Sequence, residues 1–260
     1  MKRAMKSVAL GALLVGAQAA RATPSTTYWT PATTYVQPYL VPHITYDTYF
    51  GELGSYPIDT GLTIGFLPFE KLQGEIGFDL NYAVPGYTKG GFLLNAKLGV
   101  PEGAFGGWSP GISAGIFGVG LQTDKNKPGQ NNYNVLHAEI GKTLGSFGTL
   151  YLGGYTGNKD LLVDETGAKS NSGFLAGYNT ADIAVGLPGL NKIVIAADLQ
   201  TGKSALAAWG AGVYLYFTPA IDLLTGPVFF LNDKVQPGAS KMLWTVQLDV
   251  DVELLAKPKT

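Results

Sequence analysis

The chain has no cysteine in 260 residues. That absence excludes disulfides, thiolate metal sites, a cysteine nucleophile and a lipid anchor on an N-terminal cysteine. Histidine is nearly missing as well, with only His43 and His137. Charged residues make up 14% of the chain, against roughly 25% in soluble domains. No basic cluster marks a nucleic-acid surface. From His43 onward no segment carries the 3.6-residue period of an amphipathic helix. What the chain has in quantity is glycine, 36 residues, and aromatics at 12%. Low charge with this much glycine and aromatic surface fits a protein whose outside does not face water.

The first residues read MKRAMKSVALGALLVGAQAARATPSTTYW. Lys2, Arg3 and Lys6 precede an apolar stretch of small residues from Ser7 to Ala20. Ala17-Gln18-Ala19 and Ala20-Arg21-Ala22 both fit small-x-small cleavage. The stretch is too short for the ~20 residues of a spanning helix. Residues 1–22 are therefore expected to be a signal peptide and residue 23 the mature start. Cleavage there removes Lys2, Arg3, Lys6 and Arg21, leaving 14 basic against 19 acidic residues, a formal charge of −5. Residues 23–42 hold Pro24, Pro31, Pro38 and Pro42 among many threonines. Proline at that density breaks helices and ladders, so an extended arm is expected, with its aromatics docking part of it.

Beyond the arm the period is two. In the segment WTVQLDVDVEL, Trp244, Val246, Leu248, Val250, Val252 and Leu254 alternate with polar or acidic neighbours. In IDTGLTIGF, Ile58, Thr60, Leu62, Ile64 and Phe66 alternate with Asp59, Gly61, Thr63 and Gly65. Twelve such segments are expected: His43–Phe50, Pro57–Leu67, Lys71–Ala83, Gly91–Val100, Gly111–Gln122, Tyr133–Lys142, Gly148–Gly157, Gly173–Val185, Lys192–Thr201, Ala205–Phe217, Ile221–Leu231 and Lys241–Leu254. Their lengths suit tilted strands that cross a bilayer. Links alternate between shorter, weakly charged turns and longer polar loops, the asymmetry of membrane barrels. The polar faces carry Gly, Ala, Thr, Asn and Asp rather than Lys, Glu and Arg, which suits a confined lumen. A soluble two-sheet fold is the alternative.

These features resemble the Gram-negative outer-membrane β-barrels. Within that class, TPSTTYWTPATTYVQPYLVPHITYDTYFG and YFTPAIDLLTGPVFFLND resemble a barrel family of environmental bacteria that has no assigned activity. The resemblance implies a transmembrane antiparallel up-and-down barrel of about 12 strands over residues 43–255, with a tail at residues 256–260, in the outer membrane. The sequence departs from many such barrels in ending VELLAKPKT, without a terminal aromatic for the insertion machinery.

By alternation Asp59, Glu75, Asp79, Glu139, Asp198, Asp249, Asp251 and Glu253 are expected inside, with Lys97 and Lys203 as counter-charges. Carboxylates in a lumen favour cations if a passage exists. They equally serve to fill a barrel, and twelve strands lie between filled and open sizes. The leading expectation is a small channel for small cationic or neutral polar solutes. A closed barrel with a structural or interaction role is second. An outer-membrane hydrolase is third, because His137 sits two residues from Glu139 on one face. No nucleophile motif accompanies that pair, so no catalytic residue is assigned. No cofactor, metal or nucleic-acid partner is expected. The oxygen-rich loops DKNKPGQNN and DETGAKSNSG lack the order of a calcium loop and read as solvated. The glycine runs GIFGVG and GAGVYLY precede no helix and read as strand curvature or close packing.

Overall fold

A computed structural model describes residues 25–51, 58–82, 91–124, 126 and 129–253. The expected signal peptide and C-terminal tail lie outside the described residues. The strands are β1 (Pro42–Gly51), β2 (Ile58–Gly65), β3 (Gln73–Tyr82), β4 (Phe92–Val100), β5 (Gly111–Gly120), β6 (Val135–Thr143) and β7 (Thr149–Thr156). They continue with β8 (Ser172–Asn179), β9 (Ile183–Leu187), β10 (Leu190–Gln200), β11 (Ala208–Thr218), β12 (Ile221–Phe230) and β13 (Met242–Asp251). All pairings between these strands are antiparallel, and β13 returns to β1, so the sheet closes on itself.

Twelve strands make the wall, as the period-two pattern predicts. The thirteenth arises because the expected segment Gly173–Val185 divides. β8 pairs with the second half of β10, with Asn179 opposite Ala196, and β9 pairs with the first half, with Ile183 opposite Ile193. One extra residue around Thr180–Asp182 separates the two registers. There the Thr180 hydroxyl accepts the Ile195 N–H at 3.1 Å, so a side chain substitutes for the backbone ladder. A second irregularity falls between β4 and β5, where Gly118 takes φ +63°, a left-handed conformation open to glycine.

The two faces of the wall differ sharply. Leu152 is 52% exposed and Ile76 50%, and Leu98, Ile140, Trp244 and Leu248 also point outward. Asp59 and Glu75, on the opposite face, are 1% and 0% exposed. An apolar outside around a polar inside is the inverse of a water-soluble domain. Lipid covers such a belt, and closure leaves no unpaired edge in hydrocarbon. The links after β5, β7, β10 and β12 span residues 121–134, 157–171, 201–207 and 231–241. They lie at one end, the long-loop end. The turns after β2, β6 and β11, together with Pro42 and Asp251, lie at the other. There the 101–110 turn is tied to β6 by Lys142 and Glu102, 2.8 Å apart. Slight burial raises the Glu102 carboxyl, but hydrogen bonds from Lys142 and Thr143 outweigh it and hold it below its usual range.

The belt predicts depth dependence. Leu152→Arg, midway along β7, should cost about 2–4 kcal/mol in reversible folding into lipid vesicles. Val250→Arg, one residue from the end of β13, should cost only about 0–1 kcal/mol. Equal costs at the two positions would mean that lipid does not cover this face.

Candidate solute pathway

Residues 25–41 run inside the barrel. The segment enters beside Glu75, reaches its deepest point at Tyr28–Ala32, and returns to Glu75 before turning into β1. Pro31 and Pro38 interrupt any continuous ladder, so the segment meets the wall through side chains and isolated backbone bonds, such as Leu40 N–H to the Gly65 carbonyl at 3.0 Å. Glu75 Oε1 accepts the Ser25 N–H at 2.8 Å, and Oε2 accepts the Ser25 hydroxyl at 2.8 Å and the Gln37 N–H at 2.6 Å. Lys97 Nζ lies 3.7 Å from Glu75 and donates to the Ser25 carbonyl at 2.8 Å. One buried ion pair thus clamps both ends of the loop. At the tip, Asp198 Oδ2 accepts three consecutive backbone N–H groups, from Tyr28, Trp29 and Thr30, at 3.0, 2.7 and 2.6 Å. Successive amides aimed at one oxygen form an anion-binding nest. Inner-wall glycines let the backbone approach. A Cβ at Gly65 would meet the Pro38 carbonyl at 2.2 Å, and one at Gly177 the Ala32 carbonyl at 2.3 Å.

The rest of the lumen divides by chemistry. On the β5–β8 side, Phe117, Tyr133, Val135, Tyr155 and Leu175 pack with Ala32 and with Leu162 and Leu206 from the long links. Near the opposite wall, Trp29 meets Tyr49 edge-on at 5.2 Å. From β12 through β13, β1 and β2 to β3 the inner face carries a series of carboxylates, beside an apolar cluster in which Tyr49, Leu224 and Val228 pack with Tyr28 and Trp29. Asp47 stands directly opposite Asp59, and Asp222 directly opposite Asp249. Asp79 lies on β3 beside Asp59, its carboxylate covering Gly61. Asp47 accepts from the Thr45 and Tyr49 hydroxyls at 2.6 and 3.0 Å. At the short-turn rim His43 lies 3.3 Å from Asp249 and 3.0 Å from Asp251, which also accepts from Gln37 Nε2 at 2.9 Å. Beside the Asp222–Asp249 pair opens a cavity of about 400 Å³ lined by Asp182, Lys192 and Tyr216.

The expected lumenal residues therefore take different places. Asp59, Asp79, Asp249 and Asp251 lie on the acidic wall. Glu75, Lys97 and Asp198 hold the arm. Glu139 accepts from the Ser113 hydroxyl at 2.8 Å and bonds His137 at 2.7 Å. This order is wrong for a nucleophile relay, because the carboxylate stands between serine and imidazole, while His137 Nε2 lies over Gly115. Glu253 lies two residues beyond the end of β13 and is exposed, because the strand ends at Asp251. Lys203 is corrected likewise: it sits exposed on the link after β10, outside the alternating strand that would have turned it inward. Asp222 was not anticipated, although its strand was. Its inward position follows from the register with Asp249, which period alone does not supply.

Among the described residues no group of three His, Cys, Asp or Glu side chains could hold a metal ion. In the DETGAKSNSG loop, Asp164 Oδ1 accepts from the Thr166 N–H and hydroxyl and from the Ala168 N–H. Those bonds hold its carboxyl below the usual range and commit it to its own turn.

The nest at Asp198 makes a prediction about the arm. The chain has no cysteine, so Thr30→Cys supplies a single thiol at a fully buried position. A soluble maleimide should label it slowly in the otherwise unchanged barrel, and about tenfold or more faster once Asp198→Ala removes the acceptor. Equal rates would show that the nest does not hold the tip.

No family model matches the chain, and no curated protein matches it. Among solved structures it is similar to an outer-membrane channel from Pseudomonas putida F1, at 12% identity and TM-score 0.42, covering 84% of this chain and 97% of that one. It is also similar to a mutant porin of Rhodopseudomonas blastica, at 6% identity and TM-score 0.41, covering 82% and 99%. A third is Salmonella typhi OmpF in complex with daunomycin, at 8% identity and TM-score 0.39, covering 82% and 96%.

Proposed function

We propose that the chain is an outer-membrane channel for small cationic or neutral polar solutes, held shut by its own residues 25–41. The observation that carries this reading is the pair of like-charge contacts on one wall. Carboxylates directly opposite on neighbouring strands repel. Here Asp47–Asp59 and Asp222–Asp249 are two such pairs, rising from the short-turn rim towards mid-barrel, with Asp79 beside the first. Among the described residues the cations beside this wall are His43 at the rim and Lys192, which pairs with Asp182 at 2.8 Å. A wall left electronegative inside low-dielectric surroundings concentrates cations.

Export through residues 1–22 and lodging in outer-membrane lipid complete the proposal. The apolar belt supports the second part. The arm is held by hydrogen bonds that water can replace, together with the apolar packing of Tyr28, Trp29 and Ala32. A closed barrel with a structural role is the second reading, favoured by the apolar packing of Leu162 and Leu206 over the β5–β8 side.

Purified protein in planar bilayers should open to a cation-preferring conductance. Asp47→Asn with Asp249→Asn should lower the cation-to-anion permeability ratio by at least about twofold, most at low salt, where screening is weak. An unchanged reversal potential in a salt gradient would remove the wall from the pathway. A barrel that never conducts would favour the closed reading.

A further inference from the structure

The arm shows what its own seat accepts. Tyr28 is fully buried, with its ring against Gly210 and Gly212 of β11 and its hydroxyl over Gly226 of β12. A Cβ at Gly210 or Gly212 would fall 2.3 or 2.4 Å from ring atoms, so the slot is cut to the width of an aromatic plane. At one end of the slot the Tyr28 hydroxyl donates to the Pro227 carbonyl at 3.1 Å. At the other the Tyr28 N–H donates to Asp198 Oδ2 at 3.0 Å. Nitrogen, two carbons, ring and hydroxyl in that order are the outline of an arylalkylamine. When the arm withdraws, Asp198 loses three amide donors at once. A primary ammonium brings three donors on one atom and a full positive charge, which strengthens each bond to the carboxylate.

We propose that the seat vacated by Tyr28 is a binding site for a small arylalkylammonium solute bearing a phenolic hydroxyl, and that this solute and the arm compete for it. The proposal deepens the channel reading, since it requires that the arm leave the lumen. Recognition is divided among parts that are each necessary. The glycines admit the ring, Pro227 reads the hydroxyl, and Asp198 reads the charge. A solute lacking one of these groups leaves a buried acceptor or a slot unfilled.

The probe is tyramine, titrated calorimetrically into the detergent-solubilised full-length chain. Tyr28→Ala should bind tyramine about tenfold or more tightly than wild type, whose seat is filled. Ethylamine, phenol and phenethylamine should each bind Tyr28→Ala about tenfold or more weakly than tyramine does. Adding Asp198→Asn or Gly212→Val to Tyr28→Ala should abolish the preference. Should Tyr28→Ala fail to fold, Tyr28→Phe keeps the ring and drops only the bond to Pro227, and should bind tyramine several-fold more tightly than wild type. Equal affinity for tyramine and ethylamine in Tyr28→Ala, or for tyramine in Tyr28→Phe and wild type, would overturn the site. Conductance of the same variants separates the two claims. Openings without a tyramine preference overturn the site and leave the channel. Tyramine binding in a barrel that never opens keeps the site and removes the channel.

Discussion

The structure depends on how carboxylates are accommodated inside a closed sheet. A wall of twelve strands satisfies its own backbone, but side chains turned inward meet neither lipid nor bulk water. A buried carboxylate without partners is strongly unfavourable. Glu75 and Asp198 solve this with backbone N–H groups that the wall cannot supply, because its amides are committed to the ladder. The arm supplies them. Its prolines keep it out of the sheet, and the non-proline amides of Ser25, Tyr28, Trp29, Thr30 and Gln37 are left to donate. The feature that prevents the arm from becoming a strand is thus what makes it a ligand for the lumen.

The proposed function follows from the acids that the arm does not take. Glu75, Asp198 and Glu139 are engaged with the arm, Lys97, Ser113 or His137. Asp47, Asp59, Asp79, Asp222 and Asp249 instead share one inner wall, two pairs of them in direct cross-strand register. The inner acids therefore fall into those that hold the arm and those that line the wall. The apolar half beneath the long links completes the division. It gives residues 25–41 an apolar surface to pack against at Ala32.

Much of the fold was legible in the sequence because a strand's period of two needs no tertiary knowledge. Trp244 to Val250 and Ile58 to Ile64 display their outer faces plainly. The divided strand at Thr180 was hidden, since a single extra residue changes register without changing composition. The arm was legible as something other than strand or helix, but nothing local in TPSTTYWTPATTYVQPYLVP says that it turns inside. That depends on Gly65, Gly177 and Gly210, far away in sequence, leaving room. Alternation assigned Asp59, Asp79 and Asp249 to the inner face and could not say what each would meet. It misled at Glu253, where the polar–apolar rhythm continues after the pairing partner has ended. His137 and Glu139 had the spacing of a base and its orienter. Only the arrival of Ser113 on Glu139, from the neighbouring strand, shows that the order is wrong.

The proposed function turns on residues 25–41 being a removable plug, which a reversible covalent lock can test. Thr34 Cβ lies 3.2 Å from where a Cβ at Gly111 would sit, near the roughly 3.5–4.5 Å of a disulfide. Thr34→Cys with Gly111→Cys would join the arm to β5 in a chain that has no other cysteine. Single-channel recordings should show no openings while the bond is oxidised, and should show openings after reduction on the same membrane. Openings of equal size and frequency in both states would contradict the account, because the arm would then not be what closes the barrel.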